Sequence, residues 1–211
     1  MPIKIYLSQA NQAHNAGPLG YTEKAGMDAI SWSVAQLLKK DDRFLVKRNS
    51  SGSRVDTARE NALEANAWGA DRYVAMHSNA GMRGTIVFHH SRSPKGEQLA
   101  KALYRALAGL SPGAETGDRV RTWDGLIEIH TPDAPAVLIE LEAHDWKTGV
   151  QWLTSKRRVI AQAMYEGICR GISVEPLPAK PTLSGKVLQV PVPTHKPVWW
   201  PQLEAYLRAL K

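Results

Sequence analysis

Short apolar runs alternate along this chain with longer segments in which apolar residues recur every three or four positions. The short runs have the length of buried strands, and the longer segments have the period of amphipathic helices. This alternation favours strand–helix–strand units. We therefore predict an α/β fold with a twisted, mostly parallel sheet of about six strands and helices on both faces.

The predicted elements follow from these patterns. Strands are predicted at residues 3–8, 44–48, 73–76, 84–90, 126–129 and 136–140. Helices are predicted at residues 22–40, 54–68, 94–110 and 154–171, and residues 111–123 are predicted to form a long loop.

The last part of the chain has a different composition. Seven prolines lie within residues 175–201, which excludes a helix or a central strand there. Residues 202–210 then show helical spacing, which predicts a short amphipathic helix. We therefore divide the chain into a main domain at residues 1–173 and a basic, proline-rich tail at residues 174–211.

Polar side chains stand where three of the predicted strands end. His77 follows the central apolar run, and Glu140 ends another run. The loop after the first strand contains His14 and leads to Glu23 at the start of a helix. Ligand sites of open α/β sheets lie outside the carboxyl ends of the strands, so these four side chains are expected on one rim.

Two imidazoles and two carboxylates are the inventory of a hydrolytic zinc site. Such a site commonly takes two histidines and one carboxylate, a set that His14, Glu23 and His77 supply. A separate carboxylate must then carry the proton, a role that suits Glu140. Spacing alone leaves the other histidines open as ligands: His89, His90, His130, His144 and His195.

Further side chains are candidates for lining the crevice or positioning a substrate. Two follow Glu140 closely, and the others lie on the second predicted helix or after the central strand. They are His144, Asp145, Arg59, Asn66 and Asn79.

The formal net charge of +7 favours polyanionic partners such as nucleic acid or acidic cell-wall polymers. Because the basic residues are scattered and lack interleaved aromatics, no specific nucleic-acid partner is expected. No window approaches the roughly 18 apolar residues of a membrane span, and the residues after Met1 lack the pattern of a secretory leader, so no such signal is expected. Cys169 is the only cysteine, so neither a disulfide framework nor a cysteine-based metal site is expected.

Four separated segments resemble one protein family. They are IKIYLSQANQAHN, TEKAGMD, RYVAMHSNAG followed by RGTIVFHH, and APAVLIELEAHD. In this order they are similar to the zinc-dependent N-acetylmuramoyl-L-alanine amidases of the type 3 family, most closely to the catalytic domains of phage endolysins. The resemblance spans about residues 3–172, so residues 1–173 are expected to be a zinc amidase catalytic domain.

The resemblance implies zinc ligands at His14, Glu23 and His77 and a catalytic glutamate at Glu140. It implies cleavage of the amide bond between N-acetylmuramic acid and the L-alanine of the stem peptide. Bacterial peptidoglycan is then the substrate, and anionic wall polymers are further candidate partners. An endolysin without a signal peptide is expected to stay in the host cytoplasm and to act on the cell wall after release.

Two alternatives and two departures accompany this interpretation. Another zinc peptidoglycan peptidase could use the same ligands, and a catalytically silent cell-wall-binding protein could keep the fold. The D-P-G-H-G-like loop common in the family is replaced by NQAHN, and Ala143 and Trp146 stand where many members have phenylalanine and asparagine. These departures concern substrate contacts more than the metal.

Overall fold

Six strands form one sheet in the computed structural model, which describes residues 1–49, 57–113 and 119–178. The strand order is β2-β1-β3-β6-β4-β5, and every neighbouring pair is parallel except β4 and β6. The predicted α/β class with a mostly parallel sheet of six strands is therefore confirmed. The strands are β1 (Ile3–Gln9), β2 (Phe44–Arg48), β3 (Arg72–Asn79), β4 (Ile86–His89), β5 (Val120–Thr122) and β6 (Ala136–Ala143).

Helices cover both faces of the sheet, as the sequence predicted. One face packs against α1, α3, α5 and α6 around Leu7, Val74 and Ile139. The other face packs against α2 and α4 around Tyr6 and Tyr73. The helices are α1 (Glu23–Leu38), α2 (Ala58–Trp68), α3 (Pro94–Leu107), α4 (Ile127–His130), α5 (Lys147–Ser155) and α6 (Arg157–Gly171).

The predicted strand at residues 126–129 is wrong, because this segment leads into helix α4. The run Leu-Ile-Glu-Ile is too short for its period to separate a strand from a helical turn. In the structure Glu128 and Ile129 are both buried and Ile127 is exposed, a pattern that does not alternate. Strand β5 lies instead within residues 111–123, which the sequence predicted as a loop.

The predicted helix at residues 154–171 consists of two helices. Helix α5 ends at Ser155 and α6 begins at Arg157, because Lys156 between them has a non-helical backbone. Within the described residues, no helix combines the length and hydropathy needed to cross a membrane. The predicted start of α2 at residue 54 and the predicted helix at residues 202–210 lie outside the described residues.

Candidate active site

His77 lies near the end of β3, on the face that packs against α2 and α4. Side chains alternate along a strand, so Tyr73 and Ala75 share this face and Val74 faces the opposite side. The parallel register of β3 and β6 pairs His77 with Glu140. The two side chains therefore lie beside each other at the carboxyl ends of neighbouring strands, as the sequence analysis expected.

Glu23 reaches His77 from the first turn of α1. The hydroxyl of Thr22 accepts the backbone N–H of Ala25 and so caps the helix at this point. Oε1 of Glu23 lies 3.0 Å from Nδ1 of His77 and accepts the backbone N–H of Ser78 at 3.1 Å. Nδ2 of Asn15 donates to Oε2 at 2.6 Å. Both carboxylate oxygens are thus held in place.

A second carboxylate, which the sequence analysis did not single out, contacts the other ring nitrogen of His77. Oε2 of Glu128 lies 2.8 Å from Nε2 of His77. The hydroxyls of Ser8 and Tyr73 donate to Oε1 of Glu128 at 2.5 Å and 2.9 Å. The sequence does hold one indication of this role: Glu128 lies between apolar residues, Leu126, Ile127 and Ile129. A carboxylate in an apolar segment needs buried hydrogen-bond partners.

The electrostatics of these three groups are coupled. Burial raises the pKa of Glu23 and of Glu128, but their hydrogen bonds and charge interactions with His77 outweigh burial, so both pKa values lie below the ordinary value. Burial lowers the pKa of His77, yet the hydrogen bonds to Glu128 and Glu23 raise it well above the ordinary value. The cluster therefore favours a positive charge between two carboxylates.

Glu140 has a different environment from the other two glutamates. Its Oε2 is buried and has no hydrogen-bond partner among the described residues. Burial raises the pKa of Glu140 to about 7; the charge of His77 opposes this rise, and Glu23 and Glu128 add to it. A carboxyl group that titrates near neutrality is suited to accept a proton and return it in one reaction cycle.

A cavity of about 280 Å³ brings Glu23, His77 and Glu140 to one surface. The buried Oε1 of Gln12, which has no hydrogen-bond partner among the described residues, belongs to a residue lining the same cavity. The other described lining residues are Asn15, Ser78, Asn79, Ala80 and His144. A second cavity of about 200 Å³ is lined by His77, Gln12 and Glu128 together with residues at the end of β1, in the loop after it and at the start of α2.

His14 is placed apart from the other predicted ligands. Its side chain is exposed in the loop after β1, and it is not among the described residues that line either cavity. No three His, Cys, Asp or Glu side chains of the described residues are grouped as ligands of one metal ion. Of the predicted ligand set, the structure brings together Glu23 and His77.

The other candidate residues separate into two groups. His144 and Asn79 line the 280 Å³ cavity, and Asp145 accepts the backbone N–H of Gly81 beside it. Asn66 instead binds the backbone of Thr131 and Asp133 and so holds a loop. Arg59 is exposed on α2. His89, His90 and His130 do not line the cavity, and His195 lies outside the described residues.

The fold and the site together define an α/β enzyme in which a histidine and several carboxylates are arranged for acid–base chemistry. Residues 5–170 match the family model Amidase_3, described as N-acetylmuramoyl-L-alanine amidase. The chain belongs to this family and is a peptidoglycan amidase. No curated protein matches the chain.

Solved structures show the same fold at low sequence identity. An N-acetylmuramoyl-L-alanine amidase from Clostridium difficile 630 is similar with a TM-score of 0.72 and 17% identity, covering 82% of this chain and 97% of that one. The amidase Ami1 from Mycobacterium smegmatis has a TM-score of 0.70 and 18% identity, covering 81% and 97%. The catalytic domain of the CD27L endolysin, which targets Clostridium difficile, has a TM-score of 0.63 and 17% identity, covering 82% and 98%.

Proposed function

We propose that this amidase cleaves the bond between N-acetylmuramic acid and the L-alanine of the stem peptide with a zinc ion and with Glu140 as general base and acid. The observation that carries the proposal is the position of Glu140, whose carboxyl has a pKa of about 7, in one cavity with Glu23 and His77. An imidazole and a carboxylate beside a separate acid–base carboxyl are the side chains that zinc-dependent amide hydrolysis needs.

Glu23 and His77 fit a zinc ion. Nδ1 and Oε1 lie 3.0 Å apart, and imidazole nitrogen and carboxylate oxygen are both common zinc ligands. A zinc ion held by these two groups would require Nδ1 to be free of hydrogen. Asn15 and Ser78 hold the Glu23 carboxylate without help from a metal, so these ligands are already positioned.

The third ligand is proposed to come from the loop between β1 and α1. The resemblance assigns this role to His14, which must turn its exposed imidazole toward the cavity. Gln12 on the same loop places a buried amide oxygen without a hydrogen-bond partner among the described residues, and Gln12 lines the cavity. Zinc titrations of His14→Ala and Gln12→Ala separate these two possibilities, because only loss of the true ligand weakens binding strongly.

The chemistry follows from these positions. When bound, zinc supplies Lewis-acid chemistry that polarises the amide carbonyl and acidifies water. Glu140 accepts the proton of the attacking water and returns it to the alanine nitrogen as the carbon–nitrogen bond breaks. The buried environment of Glu140 keeps its carboxylate basic enough for the first transfer and its carboxylic acid available for the second.

An endolysin role is proposed for the whole chain. The four segments resemble endolysin catalytic domains, and one similar solved structure carries that description. The net charge of +7 supports attraction to anionic wall polymers. In this role the protein accumulates in the host cytoplasm and reaches peptidoglycan after release, and expression with and without a membrane-permeabilising protein tests whether lysis depends on that release.

Metal analysis combined with product analysis tests the central proposal. Wild type should contain one zinc ion per chain, clear suspensions of bacterial cell walls and release new alanine amino termini. His77→Ala should lose zinc and activity, whereas the matched control His90→Ala, a histidine paired with Asp124 outside the cavity, should keep both. Release of other amino termini would indicate a peptidoglycan peptidase, and wall binding without products would indicate a silent binding protein.

A further inference from the structure

We propose that Glu128 is a positioning residue that fixes the tautomer of His77, so that Nε2 carries the proton and Nδ1 is left to bind the metal. This inference rests on the proposed function. It assigns a role to a buried carboxylate that neither the sequence motifs nor the reaction itself requires.

Each nitrogen of the His77 ring contacts a different carboxylate. Nδ1 lies 3.0 Å from Glu23 and Nε2 lies 2.8 Å from Glu128, so the two carboxylates contact different edges of the ring. One metal ion cannot bind both nitrogens of one imidazole. One nitrogen therefore binds the metal, and the other donates its N–H to the remaining carboxylate.

The surroundings of the two carboxylates identify which nitrogen is which. Glu23, whose Oε1 lies 3.0 Å from Nδ1, lines the cavity that also contains Glu140, where the amide bond has to be placed. Glu128 is 5% exposed, and its Oε1 accepts hydroxyl hydrogens from Ser8 and Tyr73. Glu128 lines the other cavity, whose described lining residues do not include Glu140, so we assign the Nε2–H to Glu128.

The arrangement has a defined consequence for metal binding. A neutral imidazole has two tautomers, and only the one with hydrogen on Nε2 has a lone pair at Nδ1. A carboxylate that accepts the second ring N–H fixes tautomer and ring orientation, and losing such a partner typically weakens metal affinity about 10- to 100-fold. Hydroxyl groups of Ser8 in β1 and Tyr73 in β3 donate to Glu128, so the carboxylate that orients the ring is itself fixed by the sheet.

Glu128→Gln is the informative substitution because it keeps the shape and changes the hydrogen bonding. The hydroxyls of Ser8 and Tyr73 need an acceptor, so they should hold the amide oxygen and turn the NH₂ group toward His77. An amide that donates to Nε2 selects the tautomer with hydrogen on Nδ1, which competes with the metal. Glu97→Gln is the matched control, because it makes the same chemical change at a carboxylate that pairs with Lys101 and lines neither cavity.

Two measurements test the inference. Competition with a chromophoric chelator gives the zinc dissociation constant, and long-range ¹H–¹⁵N NMR spectra of the His77 ring show which nitrogen carries hydrogen. For wild type with zinc we expect hydrogen on Nε2 and metal on Nδ1. For Glu128→Gln we expect about 10- to 100-fold weaker zinc binding and, without zinc, hydrogen on Nδ1. For Glu97→Gln we expect the zinc affinity of wild type.

The outcomes separate this inference from the proposed function. Zinc on Nε2 in wild type, which needs no variant to fold, would overturn the role of Glu128 while leaving the zinc amidase intact. Wild-type affinity in Glu128→Gln, or weaker affinity with hydrogen still on Nε2, would also overturn it. A wild-type protein that binds no zinc and releases no alanine amino termini would remove the proposed function and this inference with it.

Discussion

His77 and Glu140 are register partners on the adjacent parallel strands β3 and β6, and their side chains lie on the same face of the sheet. The pair places a group that favours positive charge beside a carboxyl group that burial keeps protonated up to about pH 7. The properties of the site therefore depend on two strands that are distant in sequence and adjacent in space.

Replacing Glu140 by glutamine should abolish turnover without removing zinc. The amide cannot accept a proton, so hydrolysis of cell walls should fall by at least about 100-fold, the low end of the range for a missing general base. Zinc content should match wild type, since Glu23 and His77 are unchanged. Glu97→Gln, which alters an exposed carboxylate paired with Lys101, should retain full activity. Wild-type turnover in Glu140→Gln would assign the proton transfer to another group.

The same substitution should stabilise the zinc-free protein at alkaline pH. Glu140 has a pKa of about 7 when folded and 4.5 ordinarily, so the folded chain binds more protons between these values. Stability therefore falls as pH rises from about 4 to 7 and stays reduced above pH 7. At about 1.36 kcal/mol per pKa unit, Glu140→Gln should gain up to about 3 kcal/mol at pH 8 and little at pH 4. Urea unfolding at both pH values measures this, and an equal difference at both would contradict it.

Gly17→Ala should disturb the loop that precedes α1. A Cβ atom at this position would collide with the backbone carbonyl oxygen of His144, so the loop carrying Gln12 and Asn15 must shift. We expect weaker zinc binding and a loss of about 1–3 kcal/mol of stability. Gly109→Ala, whose Cβ would meet no atom within 4 Å, should leave zinc binding unchanged. Equal zinc dissociation constants for the two variants would show that the loop does not support the site.

Asp41→Asn should lower stability at neutral pH more than at acidic pH. Asp41 is 1% exposed and accepts hydrogen bonds from Arg43 and from the hydroxyl of Tyr165. The bonds from Arg43 lower the pKa of Asp41 despite burial, so the stabilisation is present above about pH 4 and is lost as pH falls through the folded pKa. We expect the free energy of unfolding to fall by about 1–3 kcal/mol at pH 7 and to change little near pH 2, as measured by urea unfolding. A loss independent of pH would indicate a packing effect.

The sequence predicted an element correctly where its apolar residues formed a recognisable run or a helical period. The run from Tyr73 to Met76 and the run from Ala136 to Ile139 were recognisable as buried strands, and parallel pairing then brought His77 next to Glu140. Strand β5, with three residues, was too short to carry a period. The antiparallel pairing of β4 with β6 depends on the path of the chain through the sheet, which no local pattern encodes.

Glu128 shows why the site could be predicted only in part. Its contacts depend on the turn of α4, which aims the side chain at Ser8, Tyr73 and His77, residues between 51 and 120 positions away. The strand predicted for residues 126–129 would not have pointed the Glu128 side chain toward these partners. His14 is the opposite case, because the sequence singled it out and the structure does not bring it to the site. Its residue type matches a zinc ligand, but its side chain is exposed.

The position of β6 determines when the proposed active site can first be complete. This strand is the last of the six in sequence, yet it lies between β3 and β4 in the sheet. Until the ribosome has made and released residues 136–143, β3 has no partner on that side and His77 lacks its neighbour Glu140, the proposed acid–base residue. The long-range pairing also makes folding slow relative to local helix formation. A nascent or truncated chain that lacks β6 therefore lacks the proposed acid–base residue, and we expect activity toward peptidoglycan to begin only after this strand has been made and paired.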